Sequence, residues 1–384
     1  MNSPEVARPV RILVACDKFK GSATSLEVAD ALAAGFASGV ESDVVPVADG
    51  GDGTLDVADA LGYERHRVAV TGPYGEPVAA EFALDPRAGT AVLEIAEACG
   101  VRLVTDEGGV LRSGLDATTA TSAGVGELVL AALDSGASRI VLGIGGTATT
   151  DGGLGLACAL GVKFSDRGGR RITRSDELGD VVDMSLDSVD PRLAHTEFTV
   201  ATDVTNPLCG PEGAAAVYGP QKGLIGGQVR DVDRALARFA EVVERGTGGA
   251  ERASAPGAGA AGGIGFMCAT LLGAVYASGA DLLLDMLDFD GRLALADMVI
   301  TGEGRLDRQT LSGKVPVVVG QRARARGIPV VAVCGQNGLT GEREATAPFT
   351  SVHALTDVQP DVGRCLREPL PVLREIGKII TQTL

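Results

Sequence analysis

At both ends of the chain, short apolar runs alternate with segments of helical period. Residues 10–15 are an apolar-rich run of the kind that forms a strand buried on both faces. Thr24-Ser25-Leu26-Glu27 has the spacing of a capping box and predicts a helix with Leu26, Ala29, Leu32, Ala33 and Phe36 on one face, closed by Gly39. A strand over 43–47 then runs into the loop ADGGDGT, and a helix over 55–61 follows. The C-terminal part repeats the rhythm: a strand over 298–301 into TGEGRLD, a helix over 315–326, strands over 329–334 and 351–355, and a terminal helix over 373–384. Such a βα alternation predicts a parallel sheet with its functional loops at the carboxyl ends of the strands.

The middle of the chain has a different texture. Short strands over 67–70, 78–84 and 90–95 are separated by Gly-Pro-Tyr-Gly and Asp-Pro-Arg-Ala-Gly turns, a pattern of antiparallel pairing without intervening helices. A helix over 122–133, a strand over 139–144, the loop GGTATTDGG and a helix over 154–160 come next. The expected fold class is α/β. A discontinuous Rossmann-like parallel-sheet domain is assembled from 1–66 and 292–384, and a second α/β domain containing antiparallel strands is inserted over 67–291. At 384 residues and 45% hydrophobic content the chain is large enough for two cores with a ligand cleft between them.

Residues 253–280 carry no formal charge, but seven glycines and Pro256 dilute their hydrophobicity, so they read as a packed loop and a buried helix rather than a membrane span. Gly246 to Gly263 is the only low-complexity stretch.

A formal charge of −16 and a pI near 4.7 disfavour nucleic acid and anionic lipid as partners. Aromatic residues are 3% of the chain and Trp is absent, which removes base-stacking platforms and aromatic sugar grooves from consideration. The seven cysteines are dispersed without a CxxC pair, so neither a disulfide framework nor a zinc site is expected. With no signal-peptide pattern before the first strand, the expected compartment is the cytoplasm. His66, His195 and His353 are equally scattered and read as surface or packing residues.

The chemistry enters through lysine and glycine. Of 34 basic residues only six are lysine, and four of these lie near glycine in loop-like segments: Lys18 and Lys20 in CDKFKGS, Lys222 in GPQKG and Lys314 in LSGKVP. A compact ammonium on a flexible stem reaches a phosphate past close-packed backbone. ADGGDGT, GIGGTATTDGGLG, ATDVTNPLCG and TGEGRLD each join glycine-rich backbone to carboxylates suited to Mg²⁺. Together they predict an enzyme handling ATP or a relative. Gly145, Gly146 and Thr147, at a strand end, are candidates to offer N–H groups and a hydroxyl to phosphate oxygens. Gly313-Lys314 is not a Walker A sequence, so the cradle would be of another design. Two segments have dinucleotide-fingerprint spacing: GAGAAG from Gly257 follows no strand, and GIGGTA from Gly143 leads into a polar run that starts a helix poorly.

CDKFKGSATSLEVADAL, VADGGDGT, GIGGTATTDGG, ATDVTNPLCGPEGAAAVYGPQKG, GAGAAGGIG and ADMVITGEGRLDRQTLSGKVP, in this order over nearly the whole chain, resemble the bacterial glycerate kinase family, which is neither P-loop nor actin-like. The resemblance implies ATP- and Mg²⁺-dependent phosphorylation of D-glycerate at the 2-hydroxyl, less commonly at the 3-hydroxyl, in a site between two α/β domains. The chain departs from the family pattern at Lys18, often serine, at Thr205, often a second aspartate, and at Thr150, often asparagine.

On this reading Lys20 or Arg305 meets the glycerate carboxylate. Asp203 is the base or hydroxyl-orienting residue. Lys222 and Lys314 contact ATP phosphates, and Asp49, Asp52, Asp151 and Glu303 hold Mg²⁺ or its waters. A homodimer is left open. Two other classes fit the same architecture: an NAD-dependent hydroxy-acid dehydrogenase, and a non-catalytic two-domain ligand-binding protein.

Overall fold

The computed structural model describes residues 8–106, 109–339 and 348–382, so residues 1–7 of the expected first domain and 383–384 of the expected terminal helix lie outside it. The chain divides into two compact units, one joining Met1–Asp49 with Ala280–Leu384 and the other running Gly50–Gly279. The sequence reading put these boundaries at 66/67 and 291/292. The shift has a local cause: helix Thr54–Ala60 packs on strand Thr90–Glu94 of the second unit, where Leu55 N–H donates to Glu94 Oε1 at 2.8 Å. Strand Glu64–Thr71 pairs along its length with Pro77–Asp85.

The first unit is a five-stranded, wholly parallel sheet in the order Ser351–Ala354, Val330–Asn337, Met298–Leu306, Val10–Cys16, Val40–Val44. The second strand precedes its predicted span because its register on Val10–Cys16 begins at Val10↔Val40. Met298–Leu306 instead outruns its prediction: pairing continues through Glu303↔Cys334 to Leu306↔Asn337, so most of TGEGRLD is strand rather than loop. Its glycines permit this. A Cβ at Gly302 would collide with Val333 O, and one at Gly335 would lie 2.5 Å from Gly304 O.

Helix Ser25–Ala33 has the predicted capping box, with Glu27 N–H donating to Thr24 Oγ1 at 3.2 Å and Thr24 N–H to Glu27 Oε2 at 2.8 Å. Its buried face differs from the prediction. Ser25 turns inward, its Oγ donating to Cys16 O at 2.7 Å and accepting from Val47 N–H at 2.9 Å. That rotation buries Val28, Ala29 and Leu32 and leaves Leu26 47% exposed.

Helix Pro369–Thr381 packs across Ser25–Ala33. The approach is so close that a Cβ at Gly377 would meet the Leu32 carbonyl. Gly377→Ala is therefore expected to destabilise the first unit by about 1–3 kcal/mol, the usual cost of overpacking. Urea melts followed by circular dichroism check this, and an unchanged midpoint would show that the two helices separate without cost.

The second unit is built on a six-stranded mixed sheet in the order Val275–Ala277, Glu197–Ala201, Arg139–Gly143, Thr90–Glu94, Pro77–Asp85, Glu64–Thr71. The first four are parallel and the last two pairings antiparallel, as the turn-rich sequence predicted. A three-stranded antiparallel sheet, Arg171–Ile172, Lys163–Ser165 and Asp183–Ser185, lies in the same unit. Helix Gly227–Gly246, to which the sequence reading assigned no element, buries Leu236, Phe239, Ala240 and Val243 at helical spacing. Helix Ile264–Leu271 is buried from Ile264 to Ala269, and among the described residues no helix is long and apolar enough to cross a membrane. All seven cysteines are free.

Candidate active site

In both units, parallel strands end in loops carrying the expected residues. In the first unit the adjacent strands Val10–Cys16 and Met298–Leu306 bring Asp17 and Glu303 to one edge. Asp17 N–H donates to Gly302 O at 2.8 Å, and Asp17 Oδ1 accepts from Lys18 N–H at 2.7 Å with Lys18 Nζ 3.8 Å away. Burial pushes the Asp17 carboxyl up to about 7, helped by the negative charges of Asp49 and Glu303 and opposed by Lys18. Glu303 is also raised by burial. Its Oε2 accepts from Lys314 Nζ at 3.3 Å, and its Oε1 is buried with no hydrogen-bond partner among the described residues.

Lys314 is the N-cap residue of helix Val315–Ala325. Lys20 is exposed and makes no ion pair or hydrogen bond to a described residue. Arg305, its side chain 66% exposed, stands 3.7 Å from the Asp307 carboxylate.

In the second unit the ends of Thr90–Glu94, Arg139–Gly143 and Glu197–Ala201 converge on the segment beginning at Gly50. A Cβ at Gly50 would lie 2.7 Å from Ala201 O, one at Gly143 2.8 Å from Gly50 O, and one at Gly145 2.7 Å from Gly51 Cα. Only glycine allows three backbones this close. Gly146 takes a φ of +71° and has the Asp52 carboxylate beside it, with a Cβ there falling 3.3 Å from Asp52 Oδ1. Asp52 also stands 3.9 Å from Arg102. Among the described residues, the N–H groups of Gly145, Gly146 and Thr147 donate to no protein acceptor; Gly146 is exposed, Gly145 half-buried and Thr147 buried at 5% exposure.

Two expected residues, Asp151 and Lys222, have their polar atoms bonded within the protein, whereas Asp203 stands beyond a strand end as expected. Asp151 is fully buried: its Oδ2 accepts from Ser122 N–H at 2.9 Å, Ser122 Oγ at 2.8 Å and Gly155 N–H at 3.2 Å, and its Oδ1 from Gly153 N–H at 3.0 Å. A carboxylate surrounded by four donors has the environment of a loop clamp, not of a metal ligand. Burial still raises its pKa against those hydrogen bonds. Lys222 is 6% exposed and donates to Thr147 Oγ1 at 3.0 Å and Thr149 O at 2.7 Å, so its ammonium is held within the protein. Asp203, two residues past strand Glu197–Ala201, is half-buried and its Oδ1 accepts from Gly279 N–H at 3.2 Å.

Each unit thus gathers its own set: Lys18, Lys20, Asp49, Glu303, Arg305 and Lys314 in the first, and Asp52, Gly145, Gly146, Thr147, Asp151, Asp203 and Lys222 in the second. No group of three or more His, Cys, Asp or Glu side chains among the described residues is arranged to hold a metal by itself. The sequence reading missed Asp17 and Glu94. Glu94 is 5% exposed, raised to about 7 by burial and by neighbouring acids including Asp52, and both residues lie where an apolar strand ends. The end-of-strand rule that found Asp203 would have found them. The glycines of GAGAAG serve packing: a Cβ at Gly259 would strike Pro207 O and one at Gly262 would strike Thr149 O.

The family model described as the glycerate kinase family matches residues 12–384. A glycerate kinase of Halalkalibacterium halodurans is 42% identical over 85% of this chain and 86% of its own. A glycerate 2-kinase of Escherichia coli K12 is 40% identical over 85% of each chain. A solved structure from Salmonella typhimurium LT2, named for a glycerate kinase 2, superposes with a TM-score of 0.82 at 35% identity, covering 97% of this chain and 98% of that one. A family match across almost every described residue, an α/β fold shared with a solved structure, and strand-end loops filled by lysine, glycine and carboxylate agree: this chain belongs to the glycerate kinase family.

Proposed function

We propose that the protein transfers the γ-phosphoryl group of MgATP to the 2-hydroxyl of D-glycerate, giving 2-phosphoglycerate and ADP. The observation that carries the reading is the family membership, with the Escherichia coli relative named for the 2-kinase at 40% identity. In the transfer the glycerate oxygen bonds to phosphorus, the bond to the β-phosphate bridging oxygen breaks, and the hydroxyl proton passes to a carboxylate. Asp203 is that carboxylate or orients the hydroxyl. Lys20 or Arg305 meets the glycerate carboxylate; Lys20 is the better placed, because Arg305 already has Asp307 beside it.

In the second unit the N–H groups of Gly145, Gly146 and Thr147 are the candidates to bind phosphate, and in the first unit the Lys314 ammonium is. Magnesium, when bound, supplies neutralisation of the transferring group's charge. It commonly takes only one or two carboxylates, with phosphates and waters completing its shell. Asp49, Asp52 and Glu303 suit it by their hard oxygens, and the unpartnered Glu303 Oε1 in particular.

Enolase coupling tests the reaction, because enolase accepts the 2-phosphate directly. Signal from D-glycerate and MgATP with enolase alone is expected; signal only after phosphoglycerate mutase is added would make the 3-hydroxyl the acceptor. Absorbance change with NAD and glycerate, without ADP release, would overturn the kinase reading in favour of a dehydrogenase.

Substitution at Lys20 is a second test. A guanidinium is bulkier than an ammonium and fixes its donors in a fork. Lys20→Arg is expected to lower kcat/KM about tenfold, roughly 1.4 kcal/mol of transition-state stabilisation. Lys378→Arg, on an exposed helical position beside Glu375, is the control and keeps full activity. Equal activity of the two variants would remove Lys20 from the site.

A further inference from the structure

Lys222 closes the short turn Pro220–Lys222 and places its ammonium on Thr147 Oγ1 and Thr149 O, as described above. A lysine ammonium has three N–H donors and no acceptor. The polarity of its bond to Thr147 is therefore fixed: the threonine oxygen accepts, and the hydroxyl proton has to be donated elsewhere. The other flank of the loop is pinned by backbone, with Ala148 N–H donating to Cys99 O at 2.8 Å and Val101 N–H to Gly146 O at 2.8 Å. Between these two restraints lie the N–H groups of Gly145, Gly146 and Thr147, which have no acceptor among the described residues.

We propose that Lys222 is a positioning residue that makes the Thr147 hydroxyl an obligate hydrogen-bond donor to a nucleotide phosphate oxygen, in line with the open N–H groups of the same loop. Lys222 itself touches no phosphate; it acts through Thr147. The inference rests on the phosphate-cradle reading given above and reassigns the lysine within it. Burial lowers Lys222 to about 8, and the Asp151 carboxylate opposes that shift. A neutral amine could accept from the threonine instead and would lose the polarity the proposal needs.

The test measures MgATP binding by isothermal titration calorimetry, with steady-state KM for ATP and for glycerate, in Thr147→Val, Thr147→Ser, Lys222→Met and the Thr147→Val/Lys222→Met pair. Thr147→Val is expected to weaken MgATP about tenfold, the value of one hydrogen bond to a charged group, and Thr147→Ser to retain affinity. Lys222→Met should weaken MgATP similarly, the pair should be no worse than either single variant, and KM for glycerate should not move. A purely structural Lys222 would instead lower the urea midpoint without changing MgATP affinity in folded protein.

Normal affinity in Thr147→Val, normal affinity in folded Lys222→Met, or additive losses in the pair would each overturn the proposal. If Lys222→Met does not fold, the valine and serine variants at Thr147 still decide it. Wild-type protein that binds no MgATP would overturn the kinase reading and this inference together, whereas wild type and Thr147→Val binding equally well would overturn the inference alone.

Discussion

Asp203→Asn is expected to lower kcat by a factor on the order of 10² or more, with the fold intact. The size of the effect follows from position. Glu197–Ala201 lies between two parallel strands, Arg139–Gly143 and Val275–Ala277, so the residue two places beyond its end is held by a rigid element. Asparagine keeps an oxygen that can accept from Gly279 N–H as Asp203 Oδ1 does. What it lacks is the charge and the basicity that draw the hydroxyl proton toward it. The measurement is kcat with circular dichroism and KM on the same preparation. A fall in kcat with KM for both substrates unchanged places Asp203 in the chemical step, and a near-normal kcat in a folded variant removes it.

The parallel sheet of the first unit was legible because its strands are buried on both faces and read as continuous apolar runs: Ile12 to Cys16 and Val330 to Cys334 are all buried. What the runs did not disclose was where pairing stops. Glu303 and Arg305 look like loop residues by composition, yet the strand continues through them because glycines at 302, 304 and 335 let two backbones come together. A polar residue within a strand is visible only once its neighbour is known. The inward turn of Ser25 is of the same kind, since a hydroxyl that bridges Cys16 O and Val47 N–H counts as surface in any hydrophobic pattern.

The candidate site was legible as chemistry and less so as geometry. Glycine beside lysine and carboxylate marked loops that the structure places at strand ends, but composition could not separate exposed charged residues from those that hold the loop. Lys222 and Asp151 both carry charge within glycine-rich motifs, and both are buried with their polar atoms bonded inside the protein. Lys20 and Glu303 carry similar signals, and the structure leaves Lys20 exposed and one Glu303 oxygen unpartnered. Asp17 shows the converse. It sits in the motif that held Lys18 and Lys20, and only the convergence of strands reveals that Asp49 and Glu303 crowd it.

Asp151→Ala discriminates most sharply between loop clamp and metal ligand. Its carboxylate joins the start of helix Ala123–Asp134 to the start of helix Leu154–Ala159: Ser122 donates both its N–H and its hydroxyl, Gly153 and Gly155 donate N–H groups, and Ser122 Oγ in turn accepts from Leu156 N–H at 3.0 Å. Alanine leaves all four donors facing Asp151 buried without that acceptor. Each unsatisfied buried donor is costly, and the loss is expected to reach about 3–5 kcal/mol, at the high end for a single substitution. With no Trp in the chain, circular dichroism in urea gives the midpoint, and hydrogen exchange over 123–134 and 154–159 in the full chain locates the loss. A clamp predicts a large drop in midpoint, rapid exchange in both helices, and an unchanged Mg²⁺ requirement in whatever fraction stays folded. A metal ligand predicts the reverse: a midpoint near that of the wild type and a steep rise in the Mg²⁺ concentration needed for half-maximal activity. Asp151→Asn should fall between alanine and wild type in stability, because one amide oxygen still accepts while the amide nitrogen is turned toward donors it cannot satisfy.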